Sequence, residues 1–209
     1  MSKHKIKKFF HIRAFGFSLI EVLIAVAIIG LLISLSLFRM QAPRDAVNVV
    51  ISSITQQHLT KATELYYMDV GFYPPDVNRG WDPGFVRALP WNPDAEAGDP
   101  PPGGFASPGT NCSHCPADWQ DIVQEKWNGP YISAWPRFTA WNGKYDYNYW
   151  GAGANRYGCD LFPGIYIGVQ GDYENNNTIV QSAEQKMIDI GFEAEQCING
   201  ESQMLLQRL

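Results

Sequence analysis

From Phe17 to Phe38 the chain is apolar apart from Glu21 and a few serines, and no other stretch limits the fold as tightly. A helix of that length covers roughly 30 Å, the thickness of a bilayer hydrocarbon core. Ahead of it stand Lys3, Lys5, Lys7, Lys8 and Arg13, with no acidic residue among them. That asymmetry predicts one membrane span with a cytoplasmic N-terminus and everything after Phe38 on the far side. Losing residues 1–16 removes five of the 16 basic residues and leaves 11 against 21 acidic ones, a formal charge of about −10. Such an acidic remainder argues against nucleic acid or anionic lipid as its main partner. The part beyond the span is long enough for one domain with a real core.

Three readings of the N-terminus compete over Glu21. An ordinary secretory signal has an apolar run of about 7–15 residues before a small-x-small cleavage site. This run is longer and ends in Phe38-Arg39-Met40. A plain anchor leaves the acid unexplained, since an ionised carboxylate deep in a bilayer costs roughly 2.5–3.5 kcal/mol. The third reading gives the acid a role: a cut between Gly16 and Phe17 would create an amine one helical turn from Glu21, on the same face. In a bundle of such helices each carboxylate could meet a neighbour's amine. A wrong axial register would then strand both charges, which makes the pair a register key more than a source of stability. The local alternative is that Glu21 pairs only with its own amine and the positive end of its own helix.

The segment Ala14-Phe15-Gly16-Phe17-Ser18-Leu19-Ile20-Glu21-Val22-Leu23-Ile24-Ala25 closely resembles the class III signal of type IV prepilins and type II secretion pseudopilins. The resemblance implies cleavage after Gly16 by a membrane prepilin peptidase and N-methylation of Phe17 by the same enzyme. It also implies that Glu21 is the assembly acid. Many members carry a proline at the place of Phe38; here Pro43 follows instead, so a kink or melted stretch is expected near Pro43.

Beyond Pro43 the residues Val47, Val50, Ile51, Ile54, His58, Ala62, Leu65 and Tyr66 recur at three- and four-residue steps, which predicts an amphipathic helix lying on a core. His58 reads as a core-edge residue, with no second ligand one turn away. Gly71 and Pro74-Pro75 stop the helix. A helix from Ser18 to Met68 would be roughly 75 Å long. The expected organisation is a leader at 1–16, a membrane or filament-core helix at 17–38, an amphipathic spine at 39–70 and a periplasmic or extracellular domain at 71–209. Residues 76–128 read as a loop-rich insertion containing a short helix at Pro116–Trp127. Strands are expected at 129–132, 145–150 and 164–169, and a terminal helix behind a Ser182-Ala183-Glu184-Gln185 capping box. The fold class is α+β: a long N-terminal helix on a small antiparallel sheet, as in pilins. Gly71-Phe72-Tyr73-Pro74 and Gly129-Pro130-Tyr131 resemble segments of the major pseudopilins.

Four cysteines in a loop-rich extracytoplasmic domain favour disulfides, Cys112 with Cys115 and Cys159 with Cys197. Cys112-Ser113-His114-Cys115 has two sharper readings, half a zinc site or a redox-active dithiol, although no thioredoxin-like βαβ pattern surrounds it. Asp172, Glu174 and Asn175 follow a strand on a turn rich in oxygen ligands, a segment able to hold Ca²⁺. Its position resembles the calcium loop of the major pseudopilins, with Gln170 where that family tends to carry an acid; the plain reading is a solvated turn. The seven tryptophans read as core and loop anchors, or as an exposed binding cluster.

No nucleophile triad, paired acid or phosphate loop is present, and the histidines after Gly16 are His58 and His114. The expectation is a filament subunit and not an enzyme. The resemblance implies copies of itself and other pilins or pseudopilins, the prepilin peptidase and an inner-membrane assembly platform as partners. A type II secretion pseudopilin is favoured over a pilus subunit. The competing class is a membrane-tethered binding domain.

Overall fold

A computed structural model of the chain describes residues 18–39, 41–96, 112–156, 158–172, 175, 178–192, 194 and 197–209. The chain divides after Pro43 into two units, and each is described by itself.

The first unit contains helix α1, Leu19–Arg39. Its described side chains, through Ser34, are all exposed: Leu23, Ile24 and Val26, which point in different directions around the axis, are each more than half accessible. A helix apolar on every side has no stable solvated state of its own and requires an apolar environment or other helices around it. Among the described residues no helix is long and apolar enough to cross a membrane. The expected span, Phe17–Phe38, runs past the described side chains at both ends.

Helix α2 is Gln41–Val70, with Pro43 as its third residue. The helix accommodates the proline there because the first-turn N–H groups lack intrahelical acceptors in any case. The break expected near Pro43 falls beside Met40, which lies outside the described residues.

In the second unit α2 lies on a three-stranded antiparallel sheet, made of β1 (Asn142–Trp150), β4 (Gly164–Gly171) and β5 (Ser202–Arg208) in the order β1-β4-β5. A small hairpin of β2 (Ala154–Arg156) and β3 (Cys159–Leu161) interrupts the chain between β1 and β4. Cross-strand pairs Tyr145–Val169, Tyr147–Ile167 and Ile167–Met204 put one face of the sheet into a core with Leu59, Ala62, Tyr66 and Val70 of α2. The loop-rich region joins the same core through Val77, Phe85, Trp119 and Val123. Phe85 meets Tyr66 edge-on at 6.3 Å and Tyr147 at 5.7 Å, a geometry that adds to simple area burial. Two short helices, α3 (Pro93–Glu96) and α4 (Trp119–Lys126), lie in that region, and α5 (Gln181–Asp189) precedes β5. The result is a mixed α+β arrangement of helices and a small antiparallel sheet.

Four expectations are corrected. The stripe from Val47 to Tyr66 is not the core face: Ala62 and Tyr66 are buried, while Val47, Val50, Ile51, Ile54, His58 and Leu65 are exposed. The face toward the sheet is Val49, Ser52, Leu59, Ala62, Thr63, Tyr66 and Val70. Ser52 and Thr63 disguise it in the sequence as polar, although the Thr63 hydroxyl is satisfied by the Leu59 carbonyl one turn back (2.8 Å). Residues 129–132 are not a strand: 129–130 are irregular and 131–132 lie in a bend, where the Tyr131 N–H goes to the Phe85 carbonyl of the loop region (2.8 Å) and not to a neighbouring strand. Helix α5 is not terminal, since β5 follows it. Its N-cap is Val180 without a side-chain cap; the Ser182 hydroxyl donates instead to Asp45 (3.0 Å).

Candidate functional site

The start of α1 is built by two residues acting on each other's backbone. The Ser18 hydroxyl accepts the Ile20 N–H (3.2 Å), and the Glu21 carboxylate reaches back to the Ser18 N–H (2.9 Å). This is the reciprocal arrangement of a capping box, which satisfies donors that a helix start otherwise leaves open. The pattern Ser18-x-x-Glu21 was legible in the sequence but is overshadowed by the charge argument. Glu21 thus has a local role in the single chain, beside any role between chains. Gly16 and Phe17 lie outside the described residues.

The second constellation surrounds the Cys112–Cys115 disulfide. The His114 imidazole sits beside Cys112 Sγ, 3.5 Å from Nδ1 and 3.4 Å from Nε2. Its Nε2 donates to the Tyr73 carbonyl (3.0 Å), and the Tyr149 ring stacks on it at 3.4 Å. Burial lowers the His114 pKa from its ordinary value, while the carbonyls of Tyr73 and Pro74 pull it the other way. Cys112, His114 and Cys115 bring three donor atoms within 4.8 Å of one another. With the two sulfurs joined, the trio offers no thiolates to a metal ion. The second disulfide joins Cys159 to Cys197 and ties the hairpin to the segment before β5.

The Asp172 carboxylate accepts from the amides of Asn142 (3.0 Å) and Asn175 (2.7 Å). Amide donors, not carbonyl oxygens, face it, so the described part of this turn is hydrogen-bonded among its own side chains. Glu174 lies outside the described residues. Gln170, two residues earlier and within β4, is buried and donates to Glu201 (3.5 Å).

Below the sheet's second face runs a polar layer of Asp146, Asn148, Gln170, Glu201 and Gln203, all buried. Arg156 supplies its positive charge through Glu201 (3.2 Å). Burial, with Asp76 nearby, pushes the Asp146 carboxyl up to about 7, against the pull of Arg79 and Arg156.

None of the seven tryptophans is exposed: Trp119 and Trp135 are buried and the other five are partly covered. Trp127 donates to the Gly84 carbonyl (2.8 Å) and Trp91 to Asp82 (2.9 Å). The exposed tryptophan cluster considered from sequence is absent, because these rings anchor the loops they stand on.

Residues 13–37 match the family model for the prokaryotic N-terminal methylation motif, the signal of type IV pilins and pseudopilins. No curated protein and no solved structure matches the chain.

Proposed function

We propose that this chain is a structural subunit of a type IV filament-like assembly, cut after Gly16 and N-methylated on Phe17. The methylation motif over residues 13–37 carries this reading. Two features of the geometry support it. Helix α1 exposes apolar side chains in every direction, which a membrane would satisfy before assembly and neighbouring α1 helices afterwards. The exposed stripe Val47, Val50, Ile51 and Ile54 on α2 is a second apolar surface open to other subunits.

In this account the N-terminus is cytoplasmic, the helix crosses the inner membrane once, and residues 71–209 form the periplasmic domain in a pilin-like fold. The prepilin peptidase creates the Phe17 amine. Glu21, released from its own Ser18 N–H, then sets the axial register by meeting a neighbour's amine. Partners are copies of this chain, related subunits and an inner-membrane assembly platform.

Within this class a type II secretion pseudopilin is the preferred reading, supported by Gly71-Phe72-Tyr73-Pro74 and Gly129-Pro130-Tyr131. A pilus subunit is the second reading.

The test separates capping from charge. Glu21→Gln keeps a side chain that can close the capping box but removes the carboxylate, whereas Glu21→Ala removes both. Both variants are expected to be processed and to remain in the membrane, and neither to appear in filaments sheared from cells with a complete assembly system. Wild-type levels of filament with Glu21→Gln would remove the intermolecular role of the charge.

A further inference from the structure

We propose that the groove beside the middle of α2 receives helix α4 of a second copy of this chain, with His58 and Lys61 of one subunit facing Asp121 and Glu125 of the next. This contact rests on the filament reading above and joins the second units of neighbouring subunits.

The groove has a volume of about 390 Å³ and lies between His58, Lys61 and Leu65 of α2 on one side and Ile132, Ala134 and Pro136 of the loop before β1 on the other. His58, Lys61 and Leu65 are exposed. The titratable groups of the α2 wall are both basic, and no acid lines the groove. Once residues 1–16 are removed, 21 acidic residues face 11 basic ones across the rest of the chain. A groove that carries only basic groups is a local exception on such a surface, and it favours an acidic partner of the kind this chain itself presents.

Helix α4 carries the matching surface. Asp118, Asp121 and Glu125 are exposed and fall on one side of the helix, flanked by the half-buried Ile122. Asp121 and Glu125 are one turn apart, a spacing at which like charges weaken a helix. Glu125 also stands in the last turn, where the helix dipole disfavours a negative charge. Neither placement helps the helix that bears it. His58 and Lys61 repeat the one-turn spacing on α2, so two helices laid side by side bring the two pairs into register. Among the described residues none of these four side chains enters an ion pair within the chain. Ile122 gives the apolar wall of Leu65 and Ile132 a side chain to cover. Groove and helix are different surfaces, so one subunit can turn its groove to one neighbour and its α4 to the next, as a filament requires. Exposed pairs of this kind decide which neighbour docks, and in which register, more than they hold the assembly together.

The test uses the full chain in cells with a complete assembly system. Filaments sheared from wild-type cells are treated with a water-soluble carbodiimide, which joins an amine to a carboxylate in direct contact. Peptide mass analysis of the product with twice the mass of one chain is expected to find Lys61 joined to Asp121 or Glu125. Lys61→Glu and Asp121→Lys are each expected to lower the yield of sheared filament by about 10-fold or more, because each sets like charges against one another. The two changes together are expected to restore most of it. A merely structural role of either exposed residue would not give that rescue. Wild-type filaments without the joined peptide, a Lys61→Glu chain that assembles at the wild-type level, or a double variant no better than the single ones would overturn the contact and leave the filament reading standing. A complete system in which the wild type itself yields no filament would overturn both.

Discussion

Asp82 shows how much one side chain can organise in a region that reads as loop. Fully buried, it accepts the backbone N–H groups of Phe85 (2.9 Å), Val86 (3.0 Å) and Arg87 (3.4 Å) and the indole N–H of Trp91 (2.9 Å). Burial raises its pKa and these donors oppose the rise. Replacing it by alanine strands several buried donors at once, at about 1–3 kcal/mol for an unsatisfied group. Asp82→Ala is accordingly expected to lower stability by about 3 kcal/mol, read as a shift in the urea midpoint. Asp146 makes a prediction of a different kind. Its raised pKa means that the native state keeps a proton which the unfolded chain releases near 3.8. The stability linked to that proton is complete below about pH 4 and is lost as the pH climbs through about 7. Asp146→Asn should flatten this fall. A wild type and variant whose urea midpoints change identically between pH 4 and pH 8 would contradict the assignment. Neither residue was singled out from sequence, because an aspartate followed by proline, or one between two tyrosines, looks the same whether it caps a buried loop or faces water.

The elements divide along a similar line. β1 and β4 were legible because aromatic and β-branched residues bounded by glycine and asparagine suit a pleated surface. β5 was missed: Gln203 and Gln207 flank Met204 and Leu206, and Leu206 is an extra residue opposite the Ile165–Tyr166 step of its partner, which breaks the simple alternation. The core face of α2 was missed because a more apolar stripe stands beside it, which is what a helix facing two partners looks like in sequence. Register in the sheet rests on tight spots the pattern does not reveal. A β carbon on Gly143 would collide with the carbonyl oxygens of Gln170 and Gly171, where Asn142 turns through a positive φ of 63° and the β1–β4 register shifts. Gly143→Ala should therefore cost about 1–3 kcal/mol through overpacking, again as a lower urea midpoint. At the C-terminal end, Cys159–Cys197 closes a long loop around β4 and α5. Replacing both cysteines by serine is expected to cost about 2–5 kcal/mol and to increase proteolysis between α5 and β5.

For the whole molecule, the N-terminal signal and the exposed apolar faces lead to the same account. A capped helix, apolar all round, has to be covered, and the second unit presents a further apolar stripe on α2 without using it in its own core. The N-terminal methylation motif was legible in the sequence because it is one contiguous stretch, residues 13–37. Contacts that order the second unit are long-range and sit in turns, so they could be read only from coordinates. The central claim is that the chain is a processed subunit, and intact mass tests it most directly. The protein is recovered from membranes of wild-type cells, of cells carrying Gly16→Ala and of cells lacking the prepilin peptidase. The account predicts a wild-type chain that begins at methylated Phe17, with residues 1–16 retained in the other two. A wild-type chain that still begins near Met1 would contradict it.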